Sequence, residues 1–164
     1  MPFARVPLAL ERSEADLTIS FSTEALEGAA QALGPVALVD SVLITSLARS
    51  TRELPQLKGA LVGRARGGCQ DLAQRAELAL RWTDISNFDS ALRMLALGRL
   101  DGLCLTRDVL HHYSALASIE RSRLGAEILV GQRPALLYVR RGLAPEVIAK
   151  LRVALARRSP VKAD

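Results

Sequence analysis

The stretch 97-LGRLDGLCLTRD-108 decides how the rest of the chain is read. Before it, Phe88, Ala91, Leu92 and Leu95 fall at i, i+3, i+4 and i+7, one apolar stripe of a helix. Asn87 suits the N-cap of that helix and Asp89 its dipole, while Gly98 suits the C-terminal cap. Leu103-Cys104-Leu105 then has strand propensity, with turn residues ahead of it and Thr106 closing it. Arg107 opens another helical segment, "RDVLHHYSALASI". A helix, a tight turn, a buried strand and a second helix follow one another within a few residues. That succession is the repeating unit of an α/β sheet.

Working outward, the same alternation recurs. "ADLTISFS" (15–22) reads as a strand, and "TEALEGAAQAL" (23–33) as a helix stopped by Gly34-Pro35. "VALVDSVLITS" is a near-continuous apolar run, as in a strand buried on both faces. "TRELPQLKG" is a turn or short helical connection. "ALVGRA" is a strand, "RGGCQ" a glycine turn, "DLAQRAELAL" a helix and "LRWTDI" a strand. On the far side, "AEILVG" and "ALLYVRRG" read as two strands separated by Arg133-Pro134. The last helix opens at Pro145 and carries Val147, Ile148, Leu151, Ala154 and Leu155 on one face. Arg157 and Arg158 favour its C-terminal end, and "SPVKAD" is expected to fray. The fold class is α/β, with a mainly parallel sheet flanked by helices.

Composition narrows the function. Of the 164 residues, 49% are hydrophobic, which speaks against disorder, and no apolar run approaches the ~20 residues of a membrane span. The N-terminal "MPFARVPLALERSEAD" has neither a proper apolar signal region nor a convincing cleavage site. The protein is then cytosolic, or an export signal lies outside this sequence. The net charge is +5, but the basic residues are scattered and aromatics make up only 4%. A solvated basic surface is expected, with no nucleic acid bound by this chain. The two cysteines permit one disulfide without demanding it, and leave the compartment open.

Ligands of an open parallel sheet sit beyond the carboxyl ends of its strands. Three such ends carry polar or glycine residues here: "SFST", "RARGGCQ" and "LTRD". Asp101 lies at the opposite end of its strand and is expected to cap or bridge locally.

These segments resemble bacterial extracellular solute-binding proteins of family 3, the amino-acid-binding type with a type 2 periplasmic-binding-protein fold. "LPQLKG", "RGGCQ", "LALGRLDGL" and "LLYVRRGLAPEVIAKLRVAL" are similar to that family's second lobe in order and spacing. "SEADLTIS" resembles its strand before the hinge. The resemblance runs from Glu14 to Arg158. It implies a partial lobe 1 with the hinge at 14–46 and 132–158, and lobe 2 at 47–131, most of lobe 1 being without counterpart. It also implies a binding protein rather than an enzyme: the binding component of an ABC importer, for a small polar or anionic solute, meeting a permease. Periplasmic localisation then requires an upstream signal peptide. The alternative on the same fold is the ligand-sensing effector module of a cytosolic LysR-type regulator.

The ligand positions so implied are Ser22 and Thr23, the loop residues Arg66, Gly67, Gly68 and Cys69, and Thr106. In "RARGGCQD", backbone N–H groups beside the glycines would hold a carboxylate; the plainer reading is a turn that needs small residues. Two departures bear on the ligand. The segment Thr23–Glu27 has no Arg to pair with a carboxylate, and Thr106 stands where the family has an Asp for the ligand's ammonium. Standard α-amino acid recognition is not expected.

Cys69, near Arg66 at a helix start, could favour a thiolate, but reads more simply as a small residue where the family often has Ser. Cys104 reads as a buried small hydrophobe. His111 and His112 are adjacent, not at the i, i+4 spacing of a helical metal pair, and are expected at the surface. Trp82 is expected in the core. No residue set suggests catalysis, a metal or a cofactor. An apolar face and an open edge in the lobe-1 part point to a two-fold homodimer, unless "MPFARVPLAL" folds back over that face.

Overall fold

The strand read from Leu-Cys-Leu lies near the middle of a mixed sheet. A computed structural model describes residues 5–66 and 68–157. Gly67 and the tail expected to fray lie outside the described residues. The chain forms two compact units: one joins the described residues up to Val39 with those from Arg133 onward, and the other is Asp40–Gln132. The elements in order are α1 (Val6–Glu11), β1 (Leu17–Ser20), α2 (Glu24–Ala29), β2 (Ala30–Thr45), β3 (Leu61–Ala65), α3 (Gln70–Ala73), β4 (Arg81–Ile85), α4 (Phe88–Ala96), β5 (Gly102–Thr106), α5 (Arg107–Leu116), β6 (Glu127–Arg140) and α6 (Pro145–Ala156). Short 3-10 turns occupy Leu54–Leu57 and Ala76–Leu78. The long strands β2 and β6 each run from one unit into the other.

In the unit 40–132 the strand order is β6-β2-β5-β3-β4. β3 is parallel to both β4 and β5, as the alternation implies, whereas β2 runs antiparallel to β5, with Ser41 opposite Thr106 and Thr45 opposite Gly102. Side chains alternate along these strands into two separate cores. Val42, Ile44, Leu103 and Leu105 point to one face, under α4 and α5, with Leu92 and Leu95 fully buried against them. Leu43, Val62 and Cys104 point to the other, with Leu72, Leu78 and Val130. Burial on both faces is what the near-continuous apolar run demanded.

The turn before β5 is built as its residues foretell. Gly98 (φ +68°) donates to Leu95 O at 3.0 Å and Arg99 N to Met94 O at 2.8 Å, the paired hydrogen bonds of a glycine-terminated helix. Asn87 Oδ1 accepts from Ser90 N at 2.9 Å at the other end. Asp101 bridges locally: its Oδ2 accepts from Leu61 N at 2.8 Å and its N–H donates to Leu61 O at 2.9 Å. Arg49 Nε stands 3.5 Å from its Oδ1.

In the other unit β6 lies between β1 and β2, and β1 is antiparallel to it, with Leu17 opposite Val139 and Ser20 opposite Leu136. Leu10, Leu26, Ala30 and Tyr138 form its core, under α1 and α2. None of the α6 residues is fully buried.

Three expectations change. The helix expected over 23–33 ends at Ala29, and β2 begins at Ala30 and continues through Gly34-Pro35. Gly34, at φ 157°, lies inside that strand rather than ending it. The two strands expected on either side of Arg133-Pro134 are one strand, β6. Pro134 is exposed and precedes the β1 pairing, which starts at Leu136, so its missing N–H breaks no rung of that ladder. The helix expected over 71–80 shortens to the four residues of α3 and a 3-10 turn, closed by Ala79 in a left-handed conformation (φ 46°).

Candidate functional site

The carboxyl ends of β3 and β5 bring several of the expected residues to one end of one unit. Gly68 closes a tight turn after β3: its N–H donates to Ala65 O at 2.8 Å, and a Cβ on it would stand 3.0 Å from that same oxygen. The following Cys69 is left-handed (φ 56°) and occupies the N-cap position of α3. It is bonded to Cys104 in the middle of β5, with the Cα atoms 6.2 Å apart. This corrects the Cys69 reading; Cys104 is buried among apolar side chains, as expected, and is bonded in addition. Cys69 is neither a thiolate nor a mere stand-in for serine. The signal was present, two cysteines in one chain, but the spacing alone could not say that a loop and a neighbouring strand would meet.

Two residues beyond Cys104, Thr106 caps α5 by accepting from Val109 N at 3.4 Å. Opposite it in the register stands Ser41, which is almost fully buried. Arg66 is highly exposed and pairs with Asp84 at 3.1 Å. Gly67 lies outside the described residues. Ser22 and Thr23 belong to the other unit. Ser22 Oγ donates to Glu27, and Thr23 Oγ1 caps α2 by accepting from Leu26 N at 3.3 Å.

Two polar residues here, Arg64 and Asp71, carry no local sequence signal of their surroundings. Arg64 lays its guanidinium 4.3 Å from the centre of the Trp82 ring and donates to Gly68 O at 3.4 Å, holding the glycine turn from behind. Trp82 itself packs against the core, as expected. Asp71 is half-buried and, among the described residues, has neither an ion-pair nor a hydrogen-bond partner. Its carboxylate lies against the backbone of Gly131 on β6, where a Cβ would come within 2.5 Å of Oδ2. An acid two residues after the cysteine was legible in "RGGCQD". Its isolation was not.

On the other face of the sheet, Arg107 binds Asp40 of β2 and, at 2.8 Å, Glu127 of β6. Gln132 Nε2 donates to Asp40 Oδ1 at 2.6 Å. The hydrogen bond to Glu127 first, and Asp40 after it, hold the guanidinium charged above its usual range, against the pull of desolvation. Those two carboxylates share one guanidinium, which leaves the cluster one charge negative, whereas Arg66 pairs with Asp84 one to one. Among the described residues the Asp71 carboxylate adds to that negative charge, since no cation pairs with it. The four residues of α3 make a weak dipole, so the loop is a poorer anion cradle than its glycines suggest.

His111 and His112 are both exposed, as expected. Among the described residues no group of acidic, histidine or cysteine side chains is placed to hold a metal ion, and no helix is long and apolar enough to cross a membrane.

No protein-family model and no curated protein sequence matches the chain. Solved structures do. An ancestral arginine-binding protein bound to arginine is 22% identical and superposes with a TM-score of 0.71, over 95% of this chain and 71% of that one. Holo ArgBP from T. maritima is 16% identical with a TM-score of 0.75, over 98% of this chain and 72% of that one. The substrate-binding protein of an amino acid ABC transporter is 13% identical with a TM-score of 0.72, over 94% and 69%. At these identities the likeness is one of fold alone.

Proposed function

We propose that this chain is a non-enzymatic solute-binding module, the binding component of an ABC importer, which takes a small polar solute at the carboxyl ends of β3 and β5. The observation that carries this reading is the superposition of nearly the whole chain on proteins named for binding amino acids. On this reading the unit 40–132 corresponds to lobe 2, and the unit that holds β1, α2 and α6 to the part of lobe 1 present in this chain.

Within lobe 2 the solute meets Arg66, the backbone at Gly67 and Gly68, the Cys69 bridge and Thr106. Ser22 and Thr23 are proposed as further ligand positions; their hydroxyls already serve Glu27 and the α2 cap, so substituting them weakens binding least. The uncompensated Asp71 shifts the chemistry from the anionic solute of the sequence reading toward one with a cationic group. The compared proteins named for arginine fit that shift. The disulfide supports an oxidising compartment, hence the periplasm, over the cytosolic regulator. The further partners on this reading are a permease and a second copy of the chain.

Thermal melting with a panel of amino acids, amines and small acids tests the proposal. A bound solute at a hundred times its Kd adds about 2.7 kcal/mol, a rise of roughly 5–10 °C for a chain of this size. Basic amino acids or polyamines are expected to give that saturable rise, and Asp71→Asn to reduce it. A panel without any saturable shift overturns the reading.

A further inference from the structure

We propose that the Cys69–Cys104 disulfide is the positioning element of the solute site, so that the oxidised chain is the binding form; this rests on the solute-binding reading above. The bond joins the two pieces of backbone that carry the site. Cys69 lies in the loop after β3, and Cys104 lies in β5, two residues before Thr106. Without it, the loop is held by weak tethers, among them the exposed ion pair of Arg66 with Asp84. Another is the turn hydrogen bond from Gly68 to Ala65. A third is the 3.4 Å contact of Arg64 with Gly68 O, made by a guanidinium whose buried Nε has no hydrogen-bond partner among the described residues. Leu72 anchors α3 from below, one turn past the loop. Cys69 is also a non-glycine residue in a left-handed conformation, which an L-residue adopts only against steric strain. A covalent bond that fixes its Sγ holds it there. Asp71 follows two residues later, so the placement of its carboxylate depends on the same anchor.

Forming the bond takes two thiol protons and two electrons from the cysteines. A disulfide donor accepts both and leaves as a dithiol. In the folded chain the reverse step is obstructed. Cys104 is 1% exposed, so an attacking thiolate reaches only Cys69, and Cys104 must leave as an anion into the apolar cluster of Leu43, Val62 and Leu72. The clamp is therefore set during folding and is inert afterwards, rather than toggled in the native state.

The experiment uses the full chain refolded with oxidised glutathione. Alkylation in denaturant, read by mass, is expected to find no free thiol without reductant and two after reduction. Two free thiols in the folded, oxidised preparation overturn the proposal. The double variant Cys69→Ser/Cys104→Ala is then compared with the oxidised chain for arginine binding by calorimetry and for amide exchange. Expected are an affinity lower by about tenfold or more, from lost preorganisation, and faster exchange at residues 66–71, with α4 unchanged. A folded double variant that binds arginine within twofold of the oxidised chain, or whose loop exchanges no faster, overturns the clamp. If the double variant does not fold, the wild-type chain reduced in mild denaturant, alkylated and returned to buffer supplies the same comparison. If the oxidised chain binds no solute, the solute reading fails on its own, and the exchange measurement still decides whether the bond holds the loop.

Discussion

At the scale of single residues, the strongest constraint is on Gly125. A Cβ there would stand 2.4 Å from Ser46 O and 2.4 Å from Thr45 Oγ1, atoms of two almost completely buried residues. Backbone cannot give way as a side-chain tip can, so Gly125→Ala is expected to cost about 3 kcal/mol in urea unfolding. Gly28→Ala in α2 is the internal control. Nothing lies within 4 Å of that position, and a helix gains about 0.5–1 kcal/mol from the exchange. Equal effects at the two positions would discard the packing around Gly125. Tyr138 poses the opposite case. It is 0% exposed, and its hydroxyl has no hydrogen-bond partner among the described residues. Tyr138→Phe removes a desolvated polar group at little change of shape, and is expected to be neutral or to stabilise by up to about 1 kcal/mol. A loss of that size instead would mean that the hydroxyl is engaged.

At the scale of elements, the turn from α4 into β5 is the best determined. Gly98 takes φ +68° with nothing within 4 Å of its absent side chain, so a substitution there meets backbone strain alone. Gly98→Val is expected to cost about 1–2 kcal/mol, since a β-branched residue tolerates the left-handed region poorly. An unchanged unfolding midpoint would remove the cap. This turn was fully legible in the sequence because its cap, glycine and apolar stripe are local signals. The elements misread are those decided at a distance. "AAQAL" has helix propensity, yet Ala30 begins a strand, because β2 finds its neighbours far along the chain and tertiary pairing overrides local preference. Gly34-Pro35 and Arg133-Pro134 look like breaks, and both lie inside long strands that pass from one unit to the other. The site followed the same rule. Thr106, Gly68 and Cys69 could be placed from local pattern. The Cys69–Cys104 bond, the Arg64–Trp82 stack and the isolation of Asp71 could not, because each depends on which strands lie side by side.

At the scale of the whole molecule, the unit that contains β1 leaves apolar surface uncovered. Among the described residues β1 pairs only with β6, and its Leu17 and Ile19 are 47% and 56% exposed. α6 offers Val147 and Val153 to solvent, while Ile148, Leu151 and Leu155 are half-buried. A short strand with one free edge and an apolar outer face is a template for a second strand, and natural proteins protect such edges with charge or cover. Neither Thr18 nor Ile19 supplies a charge. The simplest cover is the same strand of a second copy, antiparallel about a two-fold axis, because that geometry is self-complementary and closes. The chain is accordingly expected to sediment as a dimer at micromolar concentration. Ile19→Lys puts a charge on the outer face of the strand and is expected to shift the population to monomer without lowering the melting temperature of the monomeric form. The competing cover is the N-terminal segment, whose α1 sets Leu10 in the core but leaves Leu8 43% exposed. Deleting Met1–Leu10 separates the two. A monomer that stays monomeric after the deletion defeats the dimer, and a monomer that aggregates only then assigns the cover to the N-terminal segment. A dimer that Ile19→Lys dissociates places the contact on β1.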